Sequence, residues 1–377
     1  MRLFFAIVFA SVAFASVVVI PRVEDVDSSS YRAMARGEPA CRPYANRVLH
    51  PMVVRAVMKT GVGERTAFVV VMGVSALAFY VLLLGRTWLV CPSWKMFFLL
   101  LSPLWWVWGG NIYIQDMLTA ALTALLFLVV HKTSCARTGP RRWRAALVAC
   151  VAVTLFLMQL ARESSAVFAL ALALLAWRER DSLLAWIAVG AMALGMAMVS
   201  LIGLNSLPNV NELSGLAYMA CKVLANGVRN FTGLVPWNDG YAAHLACYYP
   251  DPPLWKCTLP AFLQWGNVHE VGVYSFDPKT IGVTFVVWLL YFPGALVLAW
   301  RLVVSRKGLM RLFADGGWTQ MPLDVRLAFV SGGVFWLLTP FCGPSLMRLA
   351  GYSWPLFWVV LPHLLVGGAA NPRLPCR

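Results

Sequence analysis

The chain has 377 residues, 60% of them hydrophobic and 12% charged, with a mean hydropathy of +0.72. A soluble domain carries about 25% charged residues, so a soluble globular fold is excluded. The net charge of +15 lies in loops between apolar runs, which points to anionic or phosphorylated lipids as partners and not to nucleic acid, for which no motif is present.

Repeated apolar runs of spanning length predict an all-α polytopic membrane protein, a single integral domain over residues 1–377. Segments of alternating hydrophobicity, as in a β-barrel, are not visible. Leu3 to Ile20 reads as an uncleaved first helix, or as a signal peptide with Ala13-Phe14-Ala15 as its cleavage site. Either places the next segment, residues 21–65, outside the cytoplasm. Within it Ser28-Ser29-Ser30 offers N-caps for a short helix over Tyr31 to Arg36, which Gly37 and Pro39 end. Pro51 then starts an amphipathic helix over His50 to Met58, with Met52, Val53, Ala56 and Val57 on one face and Arg55 and Lys59 on the other. It suits the membrane interface better than a crossing.

Spanning helices follow at Thr66–Gly85, at Leu89–Gly109 with tryptophans near its ends, and at Asn111–Val130 with Asp116 near its start. His131 to Arg144 is short and basic and reads as cytoplasmic. Ala145–Ala161 and Ser164–Trp177 are joined tightly at Arg162-Glu163, and Leu183–Leu204 is the next span. Residues 205–279 form one large external loop, rich in aromatics, Pro, Gly and Asn. Thr280–Trp300 spans again, Arg301–Arg326 is a basic cytoplasmic loop, and Leu327–Phe341 and Ser353–Val366 complete about ten helices. Cys91, Cys135 and Cys150 read as small core residues, whereas Cys247 and Cys257 share the large loop and could bridge there. Asn230-Phe231-Thr232 fits a glycosylation triplet and is read as chance.

An even number of crossings separates the first loop, Asp116 and Arg162. Asp25, Asp27, Asp116, Arg162, Glu163, Arg348 and the large loop therefore share one membrane face. Charged residues at helix ends tend to face a cavity and not lipid. Asp116 stands out, since NIYIQDMLTAAL supplies no adjacent base.

The patterns DSSSYRAMARGEP and NRVLHPMVVRAV resemble the first external loop of multi-pass glycosyltransferases of the C superfamily, which use polyprenyl-phosphate-linked sugars. RESSAVFALALALL is similar to an Arg-Glu element of relatives, and MRLAGYSWPLFWVVLP to their C-terminal Arg-then-Pro helix, at Arg348 and Pro355. The first loop has Glu24-Asp25 where some members have an adjacent Asp-Glu pair, and the chain carries no soluble C-terminal domain. These departures leave the acceptor (a glycan, lipid or protein) and the need for a divalent metal open.

The resemblance implies a sugar transfer from a polyprenyl-phosphate donor on the external face of a bacterial inner membrane. It implies Asp27 as general base, with Asp25 as near alternative, and Asp116 as a second acidic residue. Arg47, Arg162 and Arg348 would hold the lipid phosphate, with Glu163 beside them. His50 opens the segment lining lipid entry. His244, His269 and Glu270 of the large loop could touch the acceptor. A transporter or flippase is the competing reading, and it predicts ionisable groups near the midplane and repeated halves.

Overall fold

The computed structural model describes residues 26–40, 44–87, 112–204, 223, 227, 230–236, 256–258, 273–276, 278–286, 317–341 and 351–360. Its helices are α1 (Val26–Arg36), α2 (Leu49–Met58), α3 (Glu64–Thr87), α4 (Asp116–Cys135), α5 (Arg141–Ala161), α6 (Ala166–Arg178), α7 (Ser182–Leu204), α8 (Pro278–Phe285), α9 (Gly317–Gln320) and α10 (Leu323–Leu338). Five of them, α3, α4, α5, α7 and α10, are long and apolar enough to cross a membrane. The expected span over Ser164–Trp177 is α6, only 13 residues long, and the other four of the expected ten fall partly or wholly outside the described residues.

Order along the bundle follows the chain. α3 packs on α4, α4 on α5, and α7 on both α5 and α6, while α10 closes against α4, α6 and a π-helical turn at Leu356–Val360. Aliphatic surface gains nothing by leaving lipid for a neighbouring helix, so close approach and interdigitation hold such a bundle together. Small residues supply the approach: Ala120, Ala121 and Ala124 of α4, Ala169, Ala173 and Ala176 of α6, and Ala185 and Ala188 of α7 are all buried. Gly332 of α10 is a stricter case, because a Cβ there would lie 2.8 Å from the backbone nitrogen of Leu356. Aromatic rings fill the centre. Trp354 meets Phe79 edge-on at 5.1 Å and Phe127 at 5.8 Å, and each such pair adds about 0.5–1.5 kcal/mol beyond burial.

Apolar side chains also cover the outside of the bundle. Val70, Val74, Leu77 and Val81 form an exposed stripe along α3, and Leu170 and Leu174 continue the pattern on α6. Trp143, Trp177 and Trp186 are exposed at one end of α5, α6 and α7, where tryptophan marks the level of lipid headgroups. The same end carries Lys132, Arg141, Arg142 and Arg180, all exposed.

Several expected boundaries move. α1 starts at Val26, so Asp27 lies within the helix and not ahead of it. Gly37, at φ +88°, ends α1 as expected. Its N–H bonds Met34 O, and the Glu38 N–H reaches back to Ala33 O, a left-handed C-terminal cap. α2 keeps its interfacial character but with a different seam. His50, Pro51 and Val54 face the protein, while Met52, Val53 and Ala56 are exposed beside Arg55.

The expected loop over 131–144 shrinks to a 3-10 turn, Ala136–Thr138, with Gly139 and Pro140. His131 ends up inside α4, and Arg141, Arg142 and Arg144 form the first turn of α5, because Pro140 suits a helix start. The basic loop assigned to 301–326 is shortened likewise: Arg326 is buried within α10. The large loop adds three short strands to this helical fold. Its strands β1 (Leu234–Pro236), β2 (Lys256–Thr258) and β3 (Val273–Phe276) make an antiparallel sheet in the order β1-β3-β2, with Val235 opposite Ser275 and Cys257 opposite Tyr274. Cys247 lies outside the described residues. Two other cysteines are corrected: Cys150 is exposed on α5, and Cys135 is disulfide-bonded. Asn230 is buried and donates through Nδ2 to Pro340 O at 2.5 Å, so the triplet presents no open acceptor.

Candidate functional site

α4 and α5 each end on the side of the first loop, and the break between α5 and α6 supplies the centre of the site. Arg162 sits at that break in extended backbone, φ −162°, so the helix stops and its side chain is released sideways. Its Nη1 donates to Asp116 Oδ1 at 3.1 Å and its Nε to Ser164 Oγ at 3.1 Å. The guanidinium lies over the ring of Tyr352, 4.1 Å from the centroid, and it also bonds the Tyr352 hydroxyl. Tyr352 in turn donates to Asp116. Two segments of the chain, 46 and 236 residues from Asp116, thus close on one carboxylate. Asp116 is fully buried, and the Arg162 side chain is 11% exposed.

One residue later, Glu163 turns toward the first loop. Arg47 holds it with both edges of its fork, Nε to Oε2 at 2.9 Å and Nη2 to Oε1 at 2.7 Å. Burial pushes the Glu163 carboxyl upward, but the Arg47 charge and hydrogen bonds, with Arg162 behind them, bring it down to about 2. Arg47 is itself buried. Its Nη1 donates to the Tyr31 hydroxyl of α1 at 3.2 Å, which ties α1 to the bundle. Burial opposes its charge, yet Glu163 and Tyr31 raise it well above its ordinary value.

A second set of contacts seats α1 from its far side. Arg32 donates to Glu64 at 2.5 Å and stacks over Tyr113, 5.2 Å from the ring centroid. Arg36 bonds the other Glu64 oxygen at 3.1 Å. α1 therefore spans from Arg47–Glu163 to the start of α3, directly over the Tyr113–Asp116 end of α4. Asp27 lies in α1 one helical turn before Tyr31.

Between the two pairs lies His50, 1% exposed, whose ring meets Tyr31 at 6.4 Å and Phe68 at 5.5 Å. Burial pushes it down to about 4, with Asp116 pulling weakly the other way, so it is neutral at pH 7. Its Nδ1 has no hydrogen-bond partner, nor do the two amide atoms of buried Gln115 beside Asp116. Buried polar atoms are normally satisfied, and such exceptions mark room for a water or a ligand polar group.

The structure thus brings together Asp116, Arg162, Glu163, Arg47 and His50 of the expected site and places them on one side of the bundle. It corrects the view of Asp116 as unpartnered: its base arrives from the end of α5. Asp27 is placed through its helix. Asp25, Arg348, His244, His269 and Glu270 lie outside the described residues. Tyr31, Tyr352 and Gln115 were missed, and only the proximity of Tyr352 to Arg348 in the Arg-then-Pro segment hinted at one of them. Among the described residues no cluster of three His, Cys, Asp or Glu is arranged to hold a metal.

The bundle and its apolar exterior define a helical integral membrane protein. No family model, no curated protein and no solved structure matches the chain.

Proposed function

We propose that this protein is a membrane glycosyltransferase, moving a sugar from a polyprenyl-phosphate donor to an acceptor hydroxyl at the face that carries the first loop. One observation carries the reading: a short helix bearing Asp27 is tied down at the end of the bundle where two arginine–carboxylate pairs, Arg47–Glu163 and Arg162–Asp116, come together. Asp27 is the base that accepts the acceptor proton, with Asp25 beside it in sequence. The acceptor oxygen then bonds the sugar carbon as the bond to phosphate oxygen breaks, leaving polyprenyl phosphate. Arg47 and Arg162 already hold carboxylates, so they anchor α1 and Tyr352, and the phosphate falls to Arg348. Asp116 accordingly positions Arg162 and is not the base. Neutral His50 and Gln115 offer unused hydrogen-bonding atoms to a sugar.

A transporter or flippase is favoured less. Charged residues of the described spanning helices lie only near their ends, and their middles carry none. The external orientation rests on Lys132, Arg141, Arg142 and Arg144 marking the other face as cytoplasmic. The test is a panel of polyprenyl-phosphate sugars offered to purified protein in nanodiscs, read as release of polyprenyl phosphate. Turnover with one donor supports the reading. Movement of intact lipid across vesicles without release would replace it by the flippase.

A further inference from the structure

The face opposite the candidate site carries a second cluster that sugar transfer does not use. Arg137, after α4, pairs with Glu179 and reaches Asp181 at 3.5 Å. Arg144 of α5 donates to Asp181 at 2.9 Å. Arg326 comes from α10 to the same Glu179, and its Nε is fixed on Met321 O at 3.0 Å. Two carboxylates are thus shared among three arginines, and Arg178, exposed at the end of α6, adds a fourth. These groups surround a cavity of about 420 Å³ lined by Arg137, Arg178 and Arg326, with Glu179, Ser134 and Thr319 between them. Three guanidinium groups face one carboxylate there, so the wall carries an excess of two positive charges. Arg178 follows directly on Trp177, whose exposed ring meets Trp186 at 6.1 Å. The cavity therefore opens at headgroup level.

We infer that this cavity binds a phosphate group, with Arg178 as its ligand and the guanidinium groups of Arg137 and Arg326 adding positive charge to the wall. The guanidinium fork suits phosphate oxygens, and a basic pocket between spanning helices at this level suits an anionic lipid headgroup. Free inorganic phosphate shares the chemistry.

The test uses the full chain purified in a non-ionic detergent. Its thermal unfolding midpoint is followed during titration with short-chain phosphatidylglycerol, short-chain phosphatidylcholine and inorganic phosphate. Phosphatidylglycerol raises the midpoint saturably, and Arg178→Gln weakens its half-saturating concentration about fivefold, the effect of removing one basic residue near a membrane surface. Arg178→Lys keeps the charge but loses the fork, and its curve lies between those of the parent and Arg178→Gln. Arg141→Gln, an exposed arginine of the same face outside the cavity, keeps all of it and controls for net charge. A shift with phosphate alone of equal saturation assigns the site to the free ion. No saturable shift with any of the three, or an Arg178→Gln curve that overlays the parent, overturns the inference.

Discussion

Breaking the Arg162–Asp116 pair is the sharpest perturbation of the candidate site. Asp116 is fully buried and accepts from Arg162 and Tyr352. Arg162→Gln removes the charged hydrogen bond, worth about 1.5–3 kcal/mol. It also removes the stack on Tyr352, worth about 0.5–2 kcal/mol, and it leaves the buried carboxylate without this cation. The sum agrees with the loss of about 3–5 kcal/mol seen when one partner of a buried pair is removed. Asp116→Asn keeps the shape and strands a guanidinium that still has Tyr352 beneath it and Ser164 beside it, so it costs about 2–3 kcal/mol, toward the lower end of that range. With both changes neither member of the pair is charged, and the double variant is expected to lie within about 1–2 kcal/mol of the parent, a coupling of about 3 kcal/mol or more. Unfolding titrations in mixed micelles on the four proteins measure it. If the two single losses simply add to the double loss within about 0.5 kcal/mol, the pair is not what holds α4, α5 and Tyr352 together.

Acid should act in two windows. Glu163 titrates at about 2 in the fold against 4.5 ordinarily; a depressed carboxylate stabilises fully above the higher value, and that stability is lost as pH falls from 4.5 toward 2. Glu163→Gln flattens the unfolding midpoint against pH in that window and loosens α1, read as faster amide exchange over residues 28–36. His50 is depressed from 6.5 to about 4, so the unfolded chain binds its proton first and stability falls between those values as pH drops. His50→Gln removes the slope between pH 6.5 and 4 and leaves the lower window, which separates the two groups. At Gly332 an added methyl meets backbone of Leu356 at 2.8 Å and not a side-chain tip. Gly332→Ala is therefore expected to cost about 1–3 kcal/mol, whereas Gly333→Ala, with open space at its Cβ, leaves the midpoint unchanged or raises it slightly.

Much of the bundle is legible as periodicity and punctuation. The apolar runs mark α3, α4, α5, α7 and α10 to within a few residues at most ends, and Gly37 and Pro51 mark the two first-loop helices. Errors gather where a charged residue is taken for a loop. Arg326 is drawn into α10 by Glu179, a partner 147 positions away (326 − 179), and His131 by Asp324 at 3.3 Å. No local window shows either. The same holds at the site. Arg162 and Asp116 could be placed on one face by counting crossings, but not joined, and Tyr352 carries no charge to draw attention. Which face of α2 meets the protein is not legible, because an interfacial helix has two apolar neighbours, protein and lipid, and periodicity alone does not tell Val54 from Val53.

The central claim is that Asp27, held over this cluster by α1, takes the proton from the acceptor hydroxyl. The direct measurement is the rate of polyprenyl-phosphate release by parent, Asp27→Asn and Asp116→Asn proteins, each normalised to its folded fraction, with the donor that the panel selects. Loss of a general base costs about 10²–10⁴-fold. The account expects that loss in Asp27→Asn with an unchanged unfolding midpoint, and in Asp116→Asn a smaller loss that tracks its lowered midpoint. Parent-like release from Asp27→Asn would contradict the account.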